Sequence, residues 1–221
     1  MILAAGRGER MRPLTDGTPK PLLRAAGKPL IVWTIESLAR AGICELVINV
    51  SHLGDQIESA LGDGARWNVA IRYSRERDAL ETAGGIALAL QFLGDAPFAV
   101  VNGDIYTDYD FATLKENLPR AGDALAHLVL VDNPPHHPAG DFFLAEGRLA
   151  DAGDSRHTFS GIGVYCPALF RSVTPGTKCQ LASLLRPQIT VGRVTGERYA
   201  GRWTDVGTPQ RLAELDRALR I

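Results

Sequence analysis

The sequence has little cysteine, little aromatic content and no excess of either charge. Its three cysteines, Cys44, Cys166 and Cys179, are odd in number and widely spaced, with no C-x-x-C pair. That spacing supports neither a disulfide framework nor a zinc site, and it fits a reducing cytoplasm. Cys44 and Cys166 stand in apolar runs and are expected to be buried and inert. Lys and Arg total 24 against 25 Asp and Glu, giving a net charge of −1. Such a balance removes the basic face that a general nucleic-acid binder needs. No apolar run approaches the roughly 18–20 residues of a membrane helix. The opening MILAAG has no basic segment ahead of a long apolar one, so it is not read as a secretory signal.

What is present is alternation. Residues 1–5, 43–50, 69–74 and 97–101 read as short apolar strands, and 30–41, 53–61 and 84–93 carry helical spacing between them. The pattern predicts an α/β, Rossmann-like architecture, with a central mixed, mostly parallel sheet flanked by helices. After residue 105 the rhythm changes. A helix is expected near 110–117, strands at 125–131 and 158–165, a hairpin over 142–150, and a closing amphipathic helix at 208–220. Pro- and Gly-rich stretches at 133–140 and 174–178 read as loops too short for linkers. A single domain over 1–221 follows, in two parts of about 1–110 and about 111–221. Ligands of open α/β sheets sit beyond the carboxyl ends of the strands, so loops 6–20, 75–85 and 102–110 are expected to converge on one crevice.

The first loop carries the strongest chemistry. Gly6 and Gly8 let backbone N–H groups approach a phosphate, and Arg10 and Lys20 place cations beside them. Pro19 and Pro21 restrict the backbone around Lys20, as a cation held at a fixed place requires. A dinucleotide fingerprint would need glycine where Met11 stands, and no G-x-x-x-x-G-K-[ST] occurs in the chain. Downstream, Val100-Val101-Asn102-Gly103-Asp104 is an apolar strand ending in an aspartate at its carboxyl edge. A second aspartate, Asp205, precedes the terminal helix, and together they suit a Mg²⁺ that takes one or two carboxylates plus phosphate and water. Asp108 and Asp110 read as caps of the helix that follows them.

The run LAAGRGERMRPLT and the later TPKPLL, within residues 3–23, resemble the opening motif of the sugar-1-phosphate nucleotidyltransferases. The resemblance extends to Trp203-Thr204-Asp205-Val206-Gly207-Thr208. It implies that Leu3, Ala4, Ala5, Gly6 and Gly8 hold a nucleoside triphosphate, that Arg10 contacts its phosphates, and that Lys20 assists transfer to a sugar 1-phosphate. It also implies that Asp104 and Asp205 hold the metal. Leu80-Glu81-Thr82-Ala83-Gly84-Gly85 resembles the segment that wraps base and ribose, which brings in Glu81 and Gly84, with Thr82 starting a helix. Glu76 or backbone groups near Ser74 and Arg75 would face the base edge, and Glu76 leaves uridine and guanosine both open.

For the sugar, Gly140-Asp141-Phe142 and Thr158-Phe159-Ser160-Gly161-Ile162 match family positions on the acyl-sugar side; Asp141 and Ser160 are candidates for sugar hydroxyls, and Asn102 for an amide or phosphate. The resemblance is strongest to members that transfer uridylyl to an N-acetylated, lactyl-bearing sugar phosphate; guanylyl transfer to mannose 1-phosphate, or thymidylyl transfer to glucose 1-phosphate, is the second reading. Arg156, Arg198 and Arg202 are the candidates to meet a lactyl carboxylate. The Glu-Lys-Pro element of the thymidylyltransferases is missing after residue 145, which leaves the cation for the sugar phosphate unassigned. His136 and His137 read as an exposed loop rather than a metal cluster. A monomer or small homo-oligomer without membrane or nucleic-acid partners completes the expectation.

Overall fold

In the computed structural model, residues 1–116 and 124–220 are described. β1 (Ile2–Leu3) leads through the glycine loop and a small hairpin, β2 (Arg24–Ala25) and β3 (Lys28–Pro29), into α1 (Leu30–Arg40). β4 (Glu45–Val50), α2 (Gly54–Leu61), β5 (Ala70–Arg75), α3 (Glu81–Leu93) and β6 (Phe98–Asn102) follow. Helical crossovers return the chain to the same end of the sheet each time, so these strands pair in parallel, with β4 and β5 on one side of β1 and β6 on the other, in the order β5-β4-β1-β6. Buried on both faces, β4 reads ELVINV with five of its six residues buried, the near-continuous apolar run that such a strand requires.

The second half adds β7 (Ile105–Thr107), β8 (Ala126–Val131), the hairpin β9 (Phe142–Ala145) and β10 (Arg148–Ala150), and β11 (Arg156–Tyr165). α4 (Leu181–Thr190), β12 (Val194–Tyr199), β13 (Trp203–Asp205) and α5 (Pro209–Ala218) close the chain. The sheet is mixed, with order β5-β4-β1-β6-β11-β8-β12-β10-β9. β11 runs antiparallel to both β6 and β8, and β8 and β12 are parallel. One core layer joins Ile2, Ile48 and Val101 to Ile31, Ile35 and Phe111; the other joins Met1, Val47 and Val100 to Ile86, Leu128 and Leu185. A third cluster, Met11, Ala25, Leu30, Val206 and Leu215, lies between the glycine loop and α5.

Several boundaries differ from the sequence pattern. The first strand stops at Leu3 because the Ala4 N–H leaves the ladder to donate to Asn49 Oδ1 at 2.8 Å. Around residues 110–117 the chain forms a 3₁₀ turn, Phe111–Lys115, and residue 117 lies outside the described residues. Asp110 caps it by accepting from Ala112 N, whereas Asp108 accepts from Arg202 N at 2.7 Å and from the Tyr199 hydroxyl, tying two loops together. α3 starts at Glu81, with no side-chain cap from Thr82. Cys44 is exposed and Cys166 only half-buried, since the former precedes β4 and the latter follows β11.

Candidate active site

Of the expected loops 6–20, 75–85 and 102–110, residues within 6–20, 76–82 and 102–104 line one cavity of about 370 Å³ beyond the carboxyl ends of β1, β4 and β6, and 83–85 and 105–110 do not. Leu3, Ala4, Ala5, Gly6, Gly8, Arg10, Lys20, Glu76, Glu81, Asn102 and Asp104 all border it, with Asn49, Thr82 and Gly207. Gly8 is needed there for two reasons. Its φ is +67°, and a Cβ would meet Lys20 Cβ and Thr15 Cγ2, each at 3.1 Å. A Cβ on Gly6 would meet nothing within 4 Å. Lys20 begins a 3₁₀ turn, Lys20–Leu22, set between Pro19 and Pro21. It is buried, and its ammonium is ion-paired with Asp104.

The backbones of the two candidate metal aspartates are brought together although distant in sequence, and of the two only Asp104 lines the cavity. β13 pairs antiparallel with β7, which sets Asp205 opposite Ile105, and Val206 N donates to Asp104 O at 2.9 Å. Their side chains are 36% and 27% exposed. Hard carboxylate oxygens at an open cavity edge fit Mg²⁺. Among the described residues no group of three or more His, Cys, Asp and Glu clusters, so a cation here would complete its shell with phosphate and water. Each carboxylate already carries a protein cation: Lys20 on Asp104, and Arg211 Nη1 on both oxygens of Asp205 at 2.5 and 2.6 Å. His136 Nε2 also lies 2.9 Å from Asp205 Oδ1, so the loop read as merely exposed reaches this edge of the site.

Other expected contacts are placed differently. Glu76 borders the cavity, but Asn49 Nδ2 donates to its Oε1 at 2.6 Å and Leu80 N to its Oε2 at 2.9 Å. Both oxygens therefore brace the loop internally, and burial raises the carboxyl pKa. Asn49 is the residue the sequence reading missed; the signal was an amide inside an otherwise apolar strand. Gly84 does not border the cavity: a side chain there would strike the backbone of 177–179, which explains the glycine as close packing. Asp141 accepts from Phe159 N at 2.8 Å and faces His137 Nε2 at 3.0 Å, while Gly140 turns at φ +58° against Asn133. Ser160 is buried, donating to Val129 O and accepting from Ile162 N. These three shape the loop before Phe142 and strand β11 rather than point a free polar group into the cavity. Arg198 forms a forked pair with Asp132 and Arg156 lies over the Phe143 ring.

Glu81 lines the cavity at φ +59°. A left-handed non-glycine costs on the order of 1 kcal/mol or more and tends to persist where a site over-determines it.

This chain belongs to the nucleotidyl transferase family, which its residues 1–146 match. It is 52% identical, over 97% of its length and 95% of the relative's, to the N-acetylmuramate alpha-1-phosphate uridylyltransferase of Neisseria meningitidis serogroup B. A mannose-1-phosphate guanyltransferase of Aspergillus fumigatus is 32% identical over 95% of this chain, which spans 61% of that protein. Among solved structures, a Bacillus anthracis protein described as a glucose-1-phosphate thymidylyltransferase superposes with a TM-score of 0.87 at 22% identity, covering 99% of this chain and 94% of that one. The last likeness concerns the fold alone.

Proposed function

We propose that this protein transfers uridylyl from UTP to N-acetylmuramate 1-phosphate, giving UDP-N-acetylmuramate and pyrophosphate. The observation that carries this reading is the near full-length 52% identity to the meningococcal uridylyltransferase. The cavity geometry supports it: a glycine loop, a buried lysine, Asp104 just beyond the carboxyl end of β6, and Asp205 at the end of the antiparallel β7–β13 ribbon.

A sugar phosphate is already a nucleophile near neutral pH, so no serine or histidine base is required. One of its phosphate oxygens attacks the α-phosphorus of UTP, that P–O bond forms, and the bond to the bridging oxygen of pyrophosphate breaks. Lys20, held by its flanking prolines, stabilises charge on the α-phosphate, and Arg10 at the cavity wall holds the outer phosphates. Gly6 and Gly8 admit the triphosphate close to backbone N–H groups. Asp104 and Asp205 would hold Mg²⁺, which supplies charge neutralisation on the phosphate oxygens when bound. Residues 1–110 serve the nucleotide and 111–221 the sugar, in the cytoplasm, as part of the reuse of cell-wall sugars.

Incubating the protein with each nucleoside triphosphate and a panel of sugar 1-phosphates, and measuring pyrophosphate, tests the reading. UTP with N-acetylmuramate 1-phosphate is expected to give at least tenfold higher kcat/KM than the N-acetylglucosamine analogue, which corresponds to about 1.4 kcal/mol. Equal use of both acceptors, or preference for GTP with mannose 1-phosphate, overturns it.

A further inference from the structure

Arg211 is the residue on α5 whose bonding is least settled by the protein itself. Its Nη1 has two hydrogens but faces three acceptors: Asp205 Oδ1 at 2.5 Å, Asp205 Oδ2 at 2.6 Å and His136 Nε2 at 2.5 Å. His136 Nε2 in turn lies 2.9 Å from Asp205 Oδ1, and one ring nitrogen cannot both accept from Arg211 and donate to Asp205. Nε reaches Thr208 Oγ1 only at 3.4 Å, and Nη2 makes no hydrogen bond among the described residues. Yet the side chain is only 13% exposed. Nη2 occupies the space that a side chain on Gly207 would fill, and Gly207 borders the cavity. A desolvated guanidinium is thus half-committed to one carboxylate, with two N–H groups left over at the cavity edge. Such a group is complete only when an anion meets it.

The position identifies that anion. Arg211 stands between Asp205 and His136, the latter in the loop that runs on to Asp141 and the sugar side. Lys20 and Arg10 line the cavity beside the glycine loop, and Lys20 is already committed to Asp104. We propose that Arg211 is a mobile counter-cation: a divalent cation at Asp205 displaces it, and the freed guanidinium receives the phosphate of the incoming sugar 1-phosphate. This rests on the proposed function for the identity of the acceptor. It supplies the cation that the missing Glu-Lys-Pro element left unassigned, and it makes the acceptor's site form only once the metal is seated.

The test separates competition from simple positioning. Free Mn²⁺ is measured by electron paramagnetic resonance as it is titrated with the protein, without nucleotide. Arg211→Gln is expected to tighten Mn²⁺ at least threefold, because the competing charge is gone, while Arg211→Lys stays closer to the wild type. Calorimetric binding of N-acetylmuramate 1-phosphate in the presence of Mn²⁺ is expected to weaken at least tenfold in Arg211→Gln. Melting curves of both variants establish that they fold. Unchanged or weaker Mn²⁺ binding in Arg211→Gln, or unchanged sugar-phosphate binding, overturns the proposal and leaves Arg211 as a clamp on Asp205. Failure of the proposed function is read separately, as absence of pyrophosphate release by the wild type, and the Mn²⁺ titration stands without it.

Discussion

Lys20 shows how a single side chain is fixed from both directions. Prolines on either side set its backbone, Gly8 is cut away to admit its stem, and Asp104 neutralises its ammonium. If the ammonium stabilises charge that develops on the α-phosphate, Lys20→Ala is expected to lower kcat by about 10²–10³, comparable to a lost oxyanion donor. A change in UTP binding alone, with kcat intact, would refute that role.

Glu76 gives a different prediction, because its oxygens are occupied by Asn49 and Leu80 inside the protein. Burial outweighs those donors and raises its pKa. A carboxyl with a raised folded-state pKa favours the folded protein most when protonated. Its contribution is therefore full below the ordinary carboxyl value and is lost as pH rises through the raised one. Glu76→Gln can offer one acceptor where two donors converge, and is expected to cost about 1–3 kcal/mol. It should also flatten the dependence of Tm on pH in that window, which thermal melts from pH 4 upward would read.

At the scale of elements, β11 is where the parallel wing meets the antiparallel half. Its register shifts between Phe159 and Ile162, and the shift is filled by Ser160 and by Gly161 at φ +80°. A Cβ on Gly161 would stand 2.5 Å from Asn102 Nδ2, on a side chain that borders the cavity. Gly161→Ala is therefore expected to cost more than about 1 kcal/mol and to displace Asn102. A raised KM for the sugar phosphate with an unchanged KM for UTP is the expected kinetic signature, and unchanged kinetics would remove Asn102 from the acceptor side.

The same strand marks what was legible in the sequence. Long apolar runs such as ELVINV and AHLVLV announce buried strands, and LIVWTIESLAR announces α1. β12, VTGERY, holds one glycine and two adjacent charges and becomes a strand only because β8 and β10 flank it. α4 carries Pro187 inside it, and the ribbon β7–β13 joins residues about a hundred positions apart. The glycine loop and Asp104 stand out because their chemistry is local, whereas the pairing of Asp104 with Asp205 is expected only from the family resemblance. Asn49, Arg211 and His136 do not stand out, since each owes its place to a partner far along the chain.

On the scale of the whole molecule, the last helix is tied to the first loop. Met11, at the end of the glycine loop's 3₁₀ turn, is fully buried with Ala25, Leu30, Val206 and Leu215, so α5 supplies part of the floor on which the glycine loop rests. The same helix carries Arg211, is capped by Thr208 accepting from Arg211 N, and receives the β2–β3 hairpin through Ala26 N donating to Asp216 at 2.8 Å. The cluster is small, which makes each member count. Leu215→Ala removes a buried side chain from a five-residue core and is expected to cost about 2–3 kcal/mol, the loss of transfer energy plus the cavity left behind. Because the vacated space lies under Met11, the loss should extend beyond stability. Amides of residues 6–11 are expected to exchange faster with deuterium, and the KM for UTP to rise, while the parallel strands β4 and β5 keep their protection. Uniformly faster exchange would mean that α5 stabilises only the global fold; protection lost in the loop alone would show that the chain's two ends are built as one support for the nucleotide.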